Sequence, residues 1–151
     1  MNRREALEML GVMTAGLTVL TGGEAHAEES HAQHEQIDQC AKACADCQID
    51  CDSCFHHCAE LIATGDKTYA KAMLLCVDCA DLCATAARLV ARQSPLCTLA
   101  CEACAKACDE CAAECEKFPS DKHLARCAQS CRACAKACRE MINRMNLGSA
   151  L

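Results

Sequence analysis

Aromatic surface is almost missing from this chain: 151 residues hold no Trp, one Tyr and two Phe. A basic footprint is missing too, since 15 Lys and Arg stand against 21 Asp and Glu for a formal charge of -6. Nucleic-acid binding needs stacking platforms and phosphate-neutralising cations, so that class is excluded. With four Val, four Ile and so few aromatics the chain cannot furnish a sheet, and with two Pro and six Gly it has few places to break a helix. The expected fold class is all-α. Catalytic signatures are absent as well: no Ser/His/Asp constellation or open-site ligand set stands out, so no enzyme is indicated. What the chain has instead is 19 cysteines, about one residue in eight. The 52% hydrophobic content is correspondingly unusual, because 29 Ala and 19 Cys supply most of it.

Residues 1–27 read as an address. Arg3 and Arg4 open it, a weakly apolar run follows from Leu10 to Leu20, and Ala25-His26-Ala27 forms a small-x-small ending. A run of eleven residues is too short to span a bilayer, so stable membrane insertion is not expected. The adjacent arginines and the Gly- and Thr-diluted run resemble a twin-arginine signal, which exports proteins already folded. Ala6 stands where an aromatic residue is often found, and a general secretory signal is the competing reading. Removal of residues 1–27 would leave residues 28–151 in the periplasm, with 13 Lys and Arg against 18 Asp and Glu. Bare thiols tend to oxidise there, so folding and metal loading before export would protect them.

The cysteines follow a strict rhythm. Cys40, Cys44, Cys47, Cys51, Cys54 and Cys58 step by 4-3-4-3-4, and Cys97, Cys101, Cys104, Cys108, Cys111 and Cys115 repeat those steps. Cys76, Cys79 and Cys83 step 3-4, while Cys127, Cys131, Cys134 and Cys138 step 4-3-4. Alternating threes and fours average 3.5 residues, the period of the buried seam of a left-handed helical bundle. Breaks fall between the seams at Thr64-Gly65-Asp66, Ser94-Pro95 and Phe118-Pro119-Ser120-Asp121. Helices are predicted at about 33–63, 67–92, 95–117 and 121–146. Short connections make sequential neighbours antiparallel, giving an up-down-up-down four-helix bundle with a cysteine-lined core across residues 28–151.

An internal repeat underlies the pattern. Adding 57 carries the cysteines of the first helix onto those of the third, and adding 55 carries Cys76, Cys79 and Cys83 onto Cys131, Cys134 and Cys138. Ala72 stands where the fourth helix has Cys127, so one half has one ligand fewer. Lys42, Asp46, Asp50, Glu102, Lys106, Asp109, Arg132 and Lys136 occupy the opposite faces and suit a solvated surface. Ala43, Ala105, Ala107 and Ala135 beside the seams permit close helix approach.

Simple packing is a poor account of these seams, because Leu or Ile would bury far more area than Cys. Disulfides between residues three or four apart on one helix are strained, though bridges between seams are possible. Iron–sulfur clusters use consecutive three-residue steps that do not occur here. Zn²⁺ held by four thiolates carries a charge of -2, and several such centres stacked in one core face a large desolvation cost. Cu(I) is soft and monovalent, and bridging thiolates allow on the order of one Cu⁺ per Cys⁻, which leaves the core neutral. Three readings remain: a Cu(I) store, a disulfide-stabilised structural or redox-buffering bundle, and a Zn²⁺ or Cd²⁺ sequestration protein.

Through the CxxxC and CxxC steps over residues 35–145 the chain resembles the bacterial copper storage proteins. That resemblance implies a four-helix bundle holding many Cu(I) ions along its axis, as a reserve for copper enzymes or for detoxification. It also implies a copper enzyme or a copper chaperone as recipient. The pair Arg3-Arg4 is similar to the signal of the exported branch, for which the resemblance implies a tetramer.

The two ends of the seams differ in chemistry. On the fourth helix the stepping continues to Met141 and Met145, and the matching end holds Ile37, His34, Val90 and Cys97. The other end has Leu61, Tyr69, Phe118 and Leu124. Cu(I) exchange is expected at the methionine end, through Met141, Met145 and His34 as weak ligands. His31 lies beside it near the start of the mature chain; His56, His57 and His123 flank their seams and read as surface residues, and Met73 reads as packing.

Overall fold

The structure, a computed structural model, describes residues 21–148. Arg3, Arg4 and the Leu10 to Leu20 run lie outside them. Two compact units divide the chain, one ending at Glu35 and the other beginning at Gln36. Four α-helices account for nearly all of the described residues: α1 is Thr21–Ala63, α2 is Ala70–Ala91, α3 is Cys97–Cys115 and α4 is Lys122–Gly148. A 3-10 turn at Lys67–Tyr69 precedes α2, and no strand occurs among the described residues.

α1 starts twelve residues before the position expected at 33. The stretch from Glu24 to Gln36 is dense in Ala, Glu and Gln and contains no proline, so nothing stops the helix there. The proposed cleavage point after Ala27 therefore falls within α1.

Each break has its own chemistry. α1 ends in a Schellman-type turn in which Asp66 N–H donates to the Leu61 carbonyl at 3.1 Å and Gly65 takes φ +106°. Only a residue without Cβ adopts that dihedral cheaply. Asp66 Oδ1 then accepts from Thr68 N–H at 3.1 Å and caps the 3-10 turn. Ser94 Oγ accepts from Leu96 N–H at 3.2 Å, and its carbonyl accepts from Cys97 N–H at 2.9 Å. Ser94 thus closes a tight turn through Pro95 rather than capping the helix: α3 begins at Cys97 rather than 95, and its N-cap Leu96 makes no side-chain cap bond. Asp121 Oδ1 accepts from His123 N–H at 2.9 Å and Leu124 N–H at 3.3 Å, so the last residue of the third break caps α4.

Chain direction in the second unit can be read from sulfur contacts. Cys44, Cys47 and Cys51 on α1 meet Cys138, Cys131 and Cys127 on α4, so rising numbers meet falling ones. Cys76, Cys79 and Cys83 on α2 meet Cys111, Cys108 and Cys104 on α3 in the same antiparallel sense. Cys76, Cys79 and Cys83 also meet Cys127, Cys131 and Cys134, which makes α2 and α4 parallel. That set of directions is an up-down-up-down bundle.

All 19 cysteines are buried, together with Ala72, Ala80, Ala86, Ala105, Ala112, Ala128 and Ala135. Larger hydrocarbon enters at the ends, as Ile37, Val90 and Met141 at one and Leu124 at the other. Ala72, where the repeat lacks a cysteine, is fully buried and leaves a one-sided gap in the ligand array. Outside, Arg132 forms a two-pronged pair with Glu116 at 3.0 and 2.9 Å and reaches Asp109 at 3.2 Å, while Arg126 reaches Asp50 at 3.1 Å. Such exposed pairs contribute about 0–1 kcal/mol each, so they orient the helices more than they hold them. No helix among the described residues is long and apolar enough to cross a membrane.

Candidate metal centre

The 3.5-residue step turns every cysteine of a helix toward the axis, and four such helices bring the sulfurs into one column. Near the Met141 end, Cys44, Cys104, Cys134 and Cys138 form a group of four. Moving along the axis come Cys47, Cys83, Cys108 and Cys134, then Cys47, Cys51, Cys79 and Cys131, then Cys51, Cys111, Cys127 and Cys131. Cys54, Cys76, Cys115 and Cys127 follow toward the other end. Within each group the sulfurs all lie within 4.8 Å of one another, and successive groups share members. The centre is therefore continuous rather than a set of separate closed sites.

Contacts inside the column are of two kinds. Same-helix pairs four residues apart, Cys47 with Cys51 and Cys79 with Cys83, place their sulfurs 3.9 Å apart. Cross-helix pairs run from 3.5 Å for Cys44 with Cys138, through 3.6 Å for Cys83 with Cys108 and Cys104 with Cys134, to 4.0 Å for Cys83 with Cys134. The first kind offers two sulfurs of one helix to one ion, and the second lets a sulfur bridge to the next ion. All 19 are free thiols, and even the close pair Cys44 and Cys138, at 3.5 Å between sulfurs, is far beyond the roughly 2.05 Å of a disulfide.

Protonation differs along the column. Burial pushes the Cys58 thiol up to about 11. Hydrogen bonding with Cys108 draws the Cys79 thiol below its ordinary value, and bonding with Cys111 does the same for Cys115. Cys131 is held up through its bond with Cys108, and Cys134 through its bond with Cys104. A buried thiol gives up its proton only where neighbouring sulfurs stabilise the anion, so protons are shared among sulfurs. A soft cation entering the column replaces those protons.

The ends differ as the sequence suggested. Met141 is buried and Val90 and Cys97 pack at that end, while Met145 is 37% exposed. His34 is exposed and belongs to the first unit. At the other end Tyr69 stacks on Phe118 with ring centroids 4.6 Å apart, and Leu124 is fully buried. Sequence reasoning missed a polar cluster there. His57 Nε2 lies 2.8 Å from Asp121 Oδ2, and the His57 ring stacks on His123 with centroids 4.3 Å apart. Burial pushes the Asp121 carboxyl up, but His57 and the N–H groups of Leu124 and His123 outweigh it and hold the carboxyl below its usual value. Only the tertiary fold joins these residues, so no spacing in the sequence could have marked them.

The family model described as copper storage protein matches residues 24–143. The Cu(I)-bound copper storage protein BsCsp3 is similar at 35% identity, covering 68% of this chain and 94% of that one with a TM-score of 0.64. Apo copper storage protein 3 from Bacillus subtilis is 34% identical over 69% of this chain and 96% of that one, with a TM-score of 0.61. A cytosolic copper storage protein from Streptomyces lividans, in a copper-loading state with five coppers, is 27% identical over 75% of this chain and 97% of that one, with a TM-score of 0.69. A search of curated proteins by sequence gives no match.

Proposed function

Because this chain belongs to the copper storage protein family, we propose that it stores Cu(I) as thiolate complexes along the bundle axis, as a reserve for copper enzymes or as a sink for excess metal. The observation that carries the reading is the column of 19 buried free thiols with overlapping four-sulfur groups. Cu(I) suits that column because a soft monovalent ion on bridging thiolates can approach one ion per Cys⁻ and leave a dry core uncharged. A row of closed Zn²⁺ sites would instead accumulate negative charge. Capacity is accordingly on the order of the cysteine count, and the role is storage without a catalytic step.

All 19 cysteines are assigned as ligands. Met141, Met145 and His34 are assigned as weaker ligands through which ions arrive and leave, with Met141 at the head of the column and Met145 outside it. Thioether and imidazole donors hold Cu(I) less tightly than thiolate, which favours passage over retention.

Residues 1–27 are assigned as a twin-arginine-type signal, and residues 28–151 as the exported bundle in the periplasm. This rests on Arg3-Arg4 and Ala25-His26-Ala27; the Streptomyces lividans relative is described as cytosolic. A homotetramer and a copper chaperone or copper-enzyme recipient complete the reading.

The test is an anaerobic Cu(I) titration of reduced residues 28–151 against a chromophoric competitor, with Zn²⁺ in parallel. Tight uptake approaching one ion per cysteine is expected. Saturation after four or five ions, or preference for Zn²⁺, would overturn the filled column.

A further inference from the structure

The polar cluster at the aromatic end has a donor set unlike that of the core. His57 comes from the last turns of α1, Asp121 is the cap of α4, and His123 lies in the first turn of α4. Two imidazoles and a carboxylate are borderline-to-hard donors, whereas the column offers only soft sulfur. We propose that His57, Asp121 and His123 form a second metal site, outside the thiol column, for a divalent ion such as Zn²⁺.

Placement supports this beyond residue type. Asp121 divides its labour: Oδ1 is committed to the cap, accepting from His123 and Leu124 N–H, and Oδ2 faces His57 Nε2 at 2.8 Å. Capping fixes the carboxylate, so the donor is oriented before an ion arrives. The side chains of His57 and Asp121 are only 23% and 13% exposed, which weakens competition from water. His123 is exposed, and its ring already lies 4.3 Å from that of His57 at an interplanar angle of 15°. Parallel rings do not aim their lone pairs at one point. Rotation of the exposed His123 ring supplies the convergence, and the ion takes the place of the proton between His57 Nε2 and Asp121 Oδ2. Water would complete the coordination.

Such an ion joins the end of α1 to the start of α4 directly beside the Tyr69–Phe118 stack. It therefore acts as a clip on this end of the bundle, leaving the methionine end unaffected. His56, whose Nε2 lies 3.5 Å from Glu60, is paired elsewhere and takes no part.

The experiment uses Co²⁺ and Zn²⁺ on the full chain under reducing, anaerobic conditions, first with the column saturated with Cu(I) and then without copper. One Co²⁺ per chain is expected on the saturated protein, with weak visible bands and no sulfur-to-cobalt charge transfer in the near ultraviolet. Those bands distinguish nitrogen and oxygen donors from thiolates in either form, so the result does not depend on copper storage. His57→Gln with His123→Gln should weaken Zn²⁺ binding at least tenfold with unchanged Cu(I) capacity and helicity. Should the double variant misfold, His123→Gln alone, at an exposed position, must show the weakening. No ion bound by the copper-loaded protein, binding unchanged in the variants, or sulfur charge transfer from the copper-loaded site would each overturn the proposal.

Discussion

Cys44 on α1 and Cys138 on α4 hold their sulfurs 3.5 Å apart, and Cys134, one turn along α4, lies 3.6 Å from Cys44. One α1 sulfur thus touches two sulfurs of its antiparallel neighbour, and this recurs where Cys51 meets both Cys127 and Cys131. Sharing of this kind makes ligands interchangeable. Loss of one sulfur leaves its neighbours able to regroup, unlike a closed four-ligand site, where it abolishes binding.

Cys44→Ala with Cys138→Ala should accordingly reduce Cu(I) capacity in proportion, by on the order of two ions, without destroying the rest. Two small buried side chains lose little volume, so the bundle should stay folded. Counting ions by anaerobic titration checks this. A drop to less than half the unsubstituted capacity would mean that binding is all-or-none.

Gln93 takes φ 50° where α2 ends, in a turn closed by Ser94 N–H donating to the Leu89 carbonyl at 2.9 Å. A side chain at a left-handed position costs roughly 1 kcal/mol relative to glycine. Gln93→Gly should therefore raise stability by about 1 kcal/mol, seen as a higher thermal midpoint of the copper-free protein. An unchanged or lowered midpoint would show that the Gln side chain contributes more than the strain removes.

Much of the bundle was legible because cysteine is both the core residue and the ligand here. A 3.5-residue step on one residue type reports the buried face and the metal column together, and Gly65, Ser94 and Asp121 marked the breaks with residues suited to turns and caps. Gln93 escaped notice because it is neither Gly nor Asn, the residues that announce a left-handed turn. The early start of α1 was hidden because helix propensity without a seam gives no periodic signal. His57 and His123 were read as surface residues since each stands one place or more off its seam; their stacking exists only once α1 and α4 are packed.

Among the described residues Glu114 is the one buried charged side chain, at 7% exposure, and it receives Lys117 Nζ at 2.7 Å and Lys71 Nζ at 2.9 Å. Hydrogen bonds from Lys117 and then Lys71 hold its carboxyl below the usual value. A carboxyl depressed in the folded state binds its proton more readily in the unfolded one. Its stabilisation is therefore present above the ordinary carboxyl range and fades as pH falls through the folded value. Glu114→Gln should lower stability near pH 7 and flatten the decline in acid, measured as urea midpoints from pH 7 down to pH 3. Parallel curves for both proteins would remove Glu114 from the acid response.

Met141 and Met145 lie one helical turn apart on α4, the first buried and the second 37% exposed. If they relay Cu(I) between solvent and column, the thioether matters and the volume does not. Met→Ala would confuse the two, because truncating buried Met141 costs about 2–5 kcal/mol through the cavity it leaves. Met→Leu keeps the volume at a cost of roughly 1.5 kcal/mol or less and removes only the sulfur. Met141→Leu with Met145→Leu should then leave the Cu(I) capacity unchanged while slowing both uptake and chelator-driven release. The two rates must fall together, since a relay that lowers the barrier does so in both directions. Unchanged rates would assign these methionines to packing, whereas lower capacity at unchanged rates would make them storage ligands of the column itself.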